Sequence, residues 1–196
     1  MLGARRPPVP VSPHADAIHI FTFKEGLLSR LAHDLRLSVV HYEIELRAGR
    51  VRARFDVGSA HVDGVVVGDR VDATKFSRQD TDVIERNMRE AILKAERFPT
   101  VELEGEVLPA VSGWILHGKL TMMGRARSLD VPLVRSGSDV IAEVEIKPSL
   151  WGIPPFTTMG GAIGIEDRWR VQAKLALGDQ TPAQLLRPDS VTRWGG

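Results

Sequence analysis

The chain has 196 residues, 43% of them hydrophobic, with 26 Lys and Arg against 25 Asp and Glu and no cysteine. That length gives one domain a full core, and a second is not expected. The balanced charge does not point to nucleic acid or membrane partners, and the missing cysteine excludes disulfides, thiolate zinc sites and cysteine nucleophiles.

The first 15 residues are rich in proline and are expected to be disordered or extended. Arginines near the N-terminus are followed by prolines rather than an apolar run, so a secretory signal is not expected. No run reaches the length of a bilayer span. The chain therefore reads as soluble and cytoplasmic, without stable membrane insertion and with a homodimer allowed.

Next comes Gly26 to Leu37 (GLLSRLAHDLRL), which sets Ser29, His33 and Asp34 close together. A serine triad needs the acid on one imidazole nitrogen and the serine on the other. Adjacent residues at a strand entrance point to opposite faces, and no G-x-S-x-G elbow surrounds Ser29. The segment therefore reads as structural, with Ser29 and Asp34 holding a turn and His33 offering at most a polar contact to a ligand.

Leu35 to Leu46 changes phase near Val39 and Val40, which predicts a bulge in one long strand. Val51 to Val57 alternates apolar and charged residues, as do Val101 to Val107, Trp114 to Leu120, Val140 to Ile146 and Trp169 to Leu177. This period marks strands of an antiparallel sheet with one wet face. Arg47, Arg50, Arg52 and Arg54 could form an anionic-ligand patch, but Glu102, Glu104 and Glu106 offer cross-strand partners and a paired surface is expected. From Ser77 or Asp80 to about Arg97, apolar residues recur at helical spacing and stop before Pro99, predicting one principal amphipathic helix.

Gly105 and Gly118 fall on the apolar parity, where they are either barrel corners or places of close ligand approach. The six histidines show no H-x-H or HExxH spacing, so no metal site is expected. The run Gly160 to Gly164 leads into a strand rather than a helix and reads as a turn at the barrel rim. The fold class is mainly β: an antiparallel barrel of about eight strands with one principal helix over residues 16–177, followed by a flexible tail at 178–196.

Four segments, GLLSRLAHDLRLSV, ILKAERFPTVELEGEV, LHGKLTMMGRARSLDVPL and PSLWGIPPFTTMGGAIGIEDRWRV, resemble in order the YceI-like family of lipocalin-like, polyisoprenoid-binding barrels. The segment DRVDATKFSRQDT departs from the helix start of other relatives, and many relatives carry a signal peptide. The resemblance implies non-covalent binding of a long apolar ligand, a polyisoprenoid lipid or isoprenoid quinone, with no catalytic residues and no other cofactor. Under it Phe55, Leu103, Trp114, Leu116 and Trp169 are expected to line the cavity, and Phe21, Phe23, Leu37 and Phe156 to lie near its ends. Gly105, Gly118, Trp151 and His33 complete the candidate ligand-binding set. The alternatives are an enzyme on a lipid-like substrate using His33, and a partner-binding β-domain with a solid core.

Overall fold

The computed structural model describes residues 16–25, 33–158, 163–177, 180 and 182–195. Within them, strands β1 (Ala17–Glu25), β2 (Leu35–Val39), β3 (Tyr42–Arg47), β4 (Arg50–Asp56), β5 (Ala60–Val67) and β6 (Arg70–Asp72) precede helix α1 (Arg78–Asn87). Strands β7 (Thr100–Ala110), β8 (Gly113–Met122), β9 (Arg125–Ser136), β10 (Asp139–Ile146), β11 (Thr157–Thr158) and β12 (Ile163–Ala176) follow. A short helix α2 (Pro182–Leu185) and strand β13 (Val191–Gly195) end the chain.

All thirteen strands form one sheet, in the order β13-β3-β4-β7-β8-β9-β10-β12-β1-β2-β5-β6, with β11 on β12. Every paired neighbour is antiparallel, for instance β1 with β12 and β7 with β8. The count exceeds the eight expected, but eight positions make the ring. β2 and β3 are one strand broken only at Val40 and His41; β2 pairs with β1, and β3 starts the run that returns to β1 through β12. The predicted bulge is thus a sharper break: Val39 and Tyr42 are both buried, while Val40 and His41 between them are exposed.

Where β3 leaves β1, its free edge is covered by β13, which pairs from Val191↔Arg47 to Gly195↔Glu43. The Trp194 indole donates to the Ala176 carbonyl at 2.7 Å, tying β13 to the end of β12. The segment from 178 onward, expected to be a flexible tail, is therefore corrected: its described part is a strand and a helical turn, with Leu185 and Trp194 buried in the main core. A free apolar Leu and Trp beside an unpaired strand edge gain both burial and ladder hydrogen bonds by docking. The proline-rich residues 1–15, Leu27, Leu28, Ser29, Leu31 and the Gly160–Ala162 part of the expected rim turn lie outside the described residues.

Helix α1 begins at a capping box, Ser77 Oγ accepting from the Asp80 amide at 3.2 Å and Asp80 Oδ2 from the Ser77 amide at 3.0 Å. It ends sooner than predicted. The chain passes into a π turn at Met88–Ile92, and Lys94 at φ +50° stops the helical path ahead of Pro99. Ile84 and Met88 pack on Leu37, Ala60 and Val62, and Glu85 Oε1 accepts from the Val62 amide at 2.9 Å. The helix is thereby pinned beside one end of the barrel.

The outer face of β3, β4, β7 and β8 carries alternating charges in register. Arg52 lies between Glu45 and Glu104, Arg54 between Glu43 and Glu102, and Glu104 opposite Lys119. Arg54 reaches Glu102 at 3.6 Å, and Arg193 bonds Glu45 at 2.8 Å. Arg52 and Arg54 thus face carboxylates on both neighbouring strands, whereas Arg50 lies between Arg47 and Glu106, so the expected pairing does not extend to Arg47. Arg52→Glu sets three carboxylates side by side and is expected to lower the melting temperature by about 2–4 °C, the shift of ~1 kcal/mol in a chain this long, with ligand binding intact. Thermal denaturation checks this, and an unchanged midpoint counts against the pairing.

Candidate ligand cavity and its mouth

Along β12, Trp169, Val171, Ala173 and Leu175 face inward; along β10, Val140, Ala142, Val144 and Ile146 do the same. These rows, with their counterparts on β1, β3, β4, β7, β8 and β9, enclose an inner chamber of about 240 Å³. Its wall is apolar apart from Asp56, whose carboxylate caps the turn at Val57–Ser59 by accepting from the Gly58 amide at 2.8 Å. Leu185, Leu186 and Trp194 form part of the wall at the end where the C-terminal segment docks.

A second chamber of about 280 Å³ lies between β1, β2, α1 and the segment around Pro148–Phe156. The two chambers share Ile20, Ala60, Leu93 and Trp169 in their walls. Leu93 directly follows the π turn, and its amide bonds the Met88 carbonyl at 2.8 Å. The irregular turn therefore sets a side chain in the wall that the two chambers share, a use of π-bulges that recurs at functional sites. More polar groups line the outer chamber, Thr22, His33, Asn87, Glu166 and Asp167, than the inner one, where Asp56 stands alone.

Of the residues proposed from sequence, Phe55, Leu103, Trp114, Leu116 and Trp169 line the inner chamber. His33, Leu37 and Phe156 line the outer one, as does Trp169. His33 is exposed at the mouth, its ring 5.6 Å edge-on from Phe76. Asp34 is structural, its Oδ1 accepting from the Lys24 amide at 2.9 Å beside the bulge in β1.

Five residues are placed elsewhere. Phe21 and Phe23 take the outward parity of β1, because Ile18, Ile20 and Thr22 take the inward one. Phe23 is covered by the Arg168 guanidinium, 4.0 Å from its ring centre. Trp151 is 3% exposed and plugs the barrel beside Met122, Ile146 and Ile153, its indole donating to the Leu120 carbonyl at 3.0 Å. Gly105 and Gly118 face each other across β7 and β8 and line neither chamber. A Cβ on Gly105 would lie 2.5 Å from the His117 carbonyl oxygen and 2.7 Å from a Leu116 methyl. The close strand approach, with leucines leaning over the gap, occupies the space a ligand would need.

Thr22, Ile20, Met88 and Leu93 were not singled out from sequence. Both parities of Ala17–Glu25 carry large apolar residues, so the period does not reveal the inner row there. Outward His19 belongs to a polar cluster that sequence spacing also concealed. Its Nδ1 lies 3.0 Å from Ser38 Oγ, Ser38 donates to Asp63 Oδ2 at 2.7 Å, and Arg36 bonds the same oxygen at 2.6 Å. His61 approaches the other Asp63 oxygen at 3.2 Å. Serine sits between histidine and aspartate and gives its proton to the carboxylate, the reverse of what a nucleophile needs. The cluster lines neither chamber and joins β1, β2 and β5 instead. Among the described residues no group of three or more His, Asp or Glu is placed to hold a metal ion.

An antiparallel barrel closed around an apolar interior with a wet mouth is the architecture of lipocalin-like ligand-holding proteins. The YceI-like domain model matches residues 31–177, and the chain belongs to that family. Two solved structures share the fold. One is BcnA of Burkholderia cenocepacia, with TM-score 0.57 and 14% identity, covering 82% of this chain and 94% of that one. The other is a polyisoprenoid binding domain from Saccharophagus degradans implicated in plant cell wall breakdown, with TM-score 0.52, 12% identity, and coverage of 82% and 91%. No curated protein matches the chain in sequence. No described helix is long and apolar enough to cross a membrane.

Two outcomes follow from this geometry. Gly105→Ala is expected to destabilise the fold by about 1–3 kcal/mol through overpacking, measured by denaturant titration. Burial first, then the Arg36 charge, holds the His19 pKa below 6.5, with Asp63 and a backbone hydrogen bond at Leu37 opposing. The folded chain therefore resists a proton that the unfolded chain takes up, and this contribution to stability, present above pH 6.5, is lost as pH falls toward the lowered value. In His19→Gln the fall of melting temperature on acidification is expected to be shallower than in the parent; parallel curves would contradict this.

Proposed function

We propose that this protein binds and carries a long apolar ligand of the polyisoprenoid class in its barrel, without chemistry on it. The observation that carries this reading is the path offered by an apolar inner chamber and an adjoining chamber, with Ile20, Ala60, Leu93 and Trp169 in the walls of both. An extended chain suits such a path better than a compact molecule. Each Å² of apolar surface removed from water contributes about 25 cal/mol, less the cost of ordering the chain.

The similar domain from Saccharophagus degradans is described as polyisoprenoid binding, which supports the same ligand class here. A hydrolytic role for His33 gains no support from its surroundings: its described ring partner is Phe76. Isoprenoid lipid and isoprenoid quinone both fit the chain-shaped interior.

Lipid extraction and native mass spectrometry of the purified protein test the proposal, with a co-purifying or added polyprenyl compound expected at one per chain. Ala142→Leu adds bulk to the inner wall and is expected to weaken binding at least about tenfold while the protein stays folded, since lost tail burial of ~1.4 kcal/mol already gives that factor. A chain that takes up no such compound, or an unchanged affinity in the variant, would sink the reading.

A further inference from the structure

On the outer face, charge gives way to apolar side chains at one level of four adjacent strands. Glu106, His117 and Asp130 form one outward row across β7, β8 and β9. The next outward row is Leu108, Ile115 and Pro132, again paired strand to strand. Beyond it come Ala110 on β7 and Val134 on β9, with Ile141 of β10 opposite Val134. Leu108, Pro132 and Val134 are exposed, and Val111 at the tip of the β7–β8 hairpin is fully so. From Val107 to Leu116 this hairpin carries no charged residue.

The β3–β4 turn lies beside it, the Val107 amide donating to the Gly49 carbonyl at 2.7 Å. Arg47 and Arg50 flank that turn, both exposed and directly opposite each other. Their other cross-strand neighbours are Val191 for Arg47 and Glu106 for Arg50. Like charges set opposite one another destabilise a sheet, and an anion from outside the chain relieves that repulsion. The remaining charges at this end offset one another: Lys174 holds Asp139 at 3.0 Å, and Arg187 and Asp189 precede β13.

The apolar patch spans about 14 Å across its four strands and about 7 Å along them. A stable protein interface buries about 800 Å² per partner, far more than this. A projecting, uncharged tip beside cations instead suits shallow insertion among anionic headgroups, where apolar burial and charge act together.

We propose that the β7–β8 hairpin, with Arg47 and Arg50, docks this end of the barrel on an anionic phospholipid bilayer. The contact is peripheral and reversible, and it does not depend on what the barrel holds.

Flotation of the full-length chain with vesicles tests this. Vesicles of phosphatidylglycerol and phosphatidylcholine in equal parts are expected to bind it at least about tenfold better than phosphatidylcholine alone, the scale of two arginines at a charged surface. Arg47→Gln with Arg50→Gln is expected to remove most of that preference. Val111→Asp is expected to weaken binding to the mixed vesicles about tenfold or more, since it sets a charge where apolar burial was gained. Both changes fall on exposed positions, and an unchanged circular dichroism spectrum checks the fold. Val67→Asp, at an exposed valine on the opposite end of the barrel, is expected to leave binding as it was. No flotation, equal binding to both kinds of vesicle, or tip variants that bind like the parent would overturn the inference. Two other occupants of the patch have their own signs. A dimer seen by sedimentation and lost in Val111→Asp assigns it to a second copy, and faster proteolysis of residues 1–15 in that variant assigns it to the N-terminal segment; either result overturns bilayer docking.

Discussion

The barrel depends on a change of partners at Val40 and His41. Up to Val39 the strand is bonded to β1 and β5; from Tyr42 it is bonded to β4 and β13. A sheet with free edges must cover or pair them, and this one brings its two ends together through a single bent strand. The bend restores inward parity on both sides, so Leu37, Val39, Tyr42, Ile44 and Leu46 are all buried. It also opens a gap beside β3 that β13 fills, which is why the chain's last strand is part of the ring's wall rather than an appendage.

Closure separates two tasks that an open sheet would have to share. Stability comes from the ladder, from the plug around Trp151 and from charge alternation on the outer face. The interior is thereby free to remain partly unfilled. Protein cores normally pack to crystal-like density, so chambers walled almost wholly by apolar side chains are a feature to be explained rather than expected. Such walls leave room for apolar contacts from outside the chain, and the polar groups are concentrated along the outer chamber.

The helix couples the two halves of this arrangement. Glu85 fixes α1 to β5 through the Val62 amide, while the π turn places Leu93 in the wall shared by the two chambers. On the opposite side of the same strands, His19, Arg36, Ser38, His61 and Asp63 tie β1, β2 and β5 together by hydrogen bonds and charge. This Ser-His-Asp grouping is thus a structural clasp outside the cavity, unlike the grouping suggested near Ser29.

The sequence by itself determined the mainly-β class, the inward rows of β4, β7, β8, β10 and β12, the helix with its polar cap, and the pairing of Arg52 and Arg54, because one wet face writes a period of two and helices write a different one. It also pointed to five inner-chamber residues, Phe55, Leu103, Trp114, Leu116 and Trp169. Where both faces of a strand carry bulky apolar groups, as on β1, the period vanishes, and Phe21 and Phe23 could not be told from Ile20 and Thr22. Glycine parity likewise left open whether Gly105 and Gly118 face a ligand or a neighbouring backbone, since an absent side chain has no direction. The docking of the C-terminal strand and the place of Leu93 between the two chambers were decided only by tertiary structure. Each depends on contacts between segments far apart in the chain, and no local pattern encodes how a ring closes.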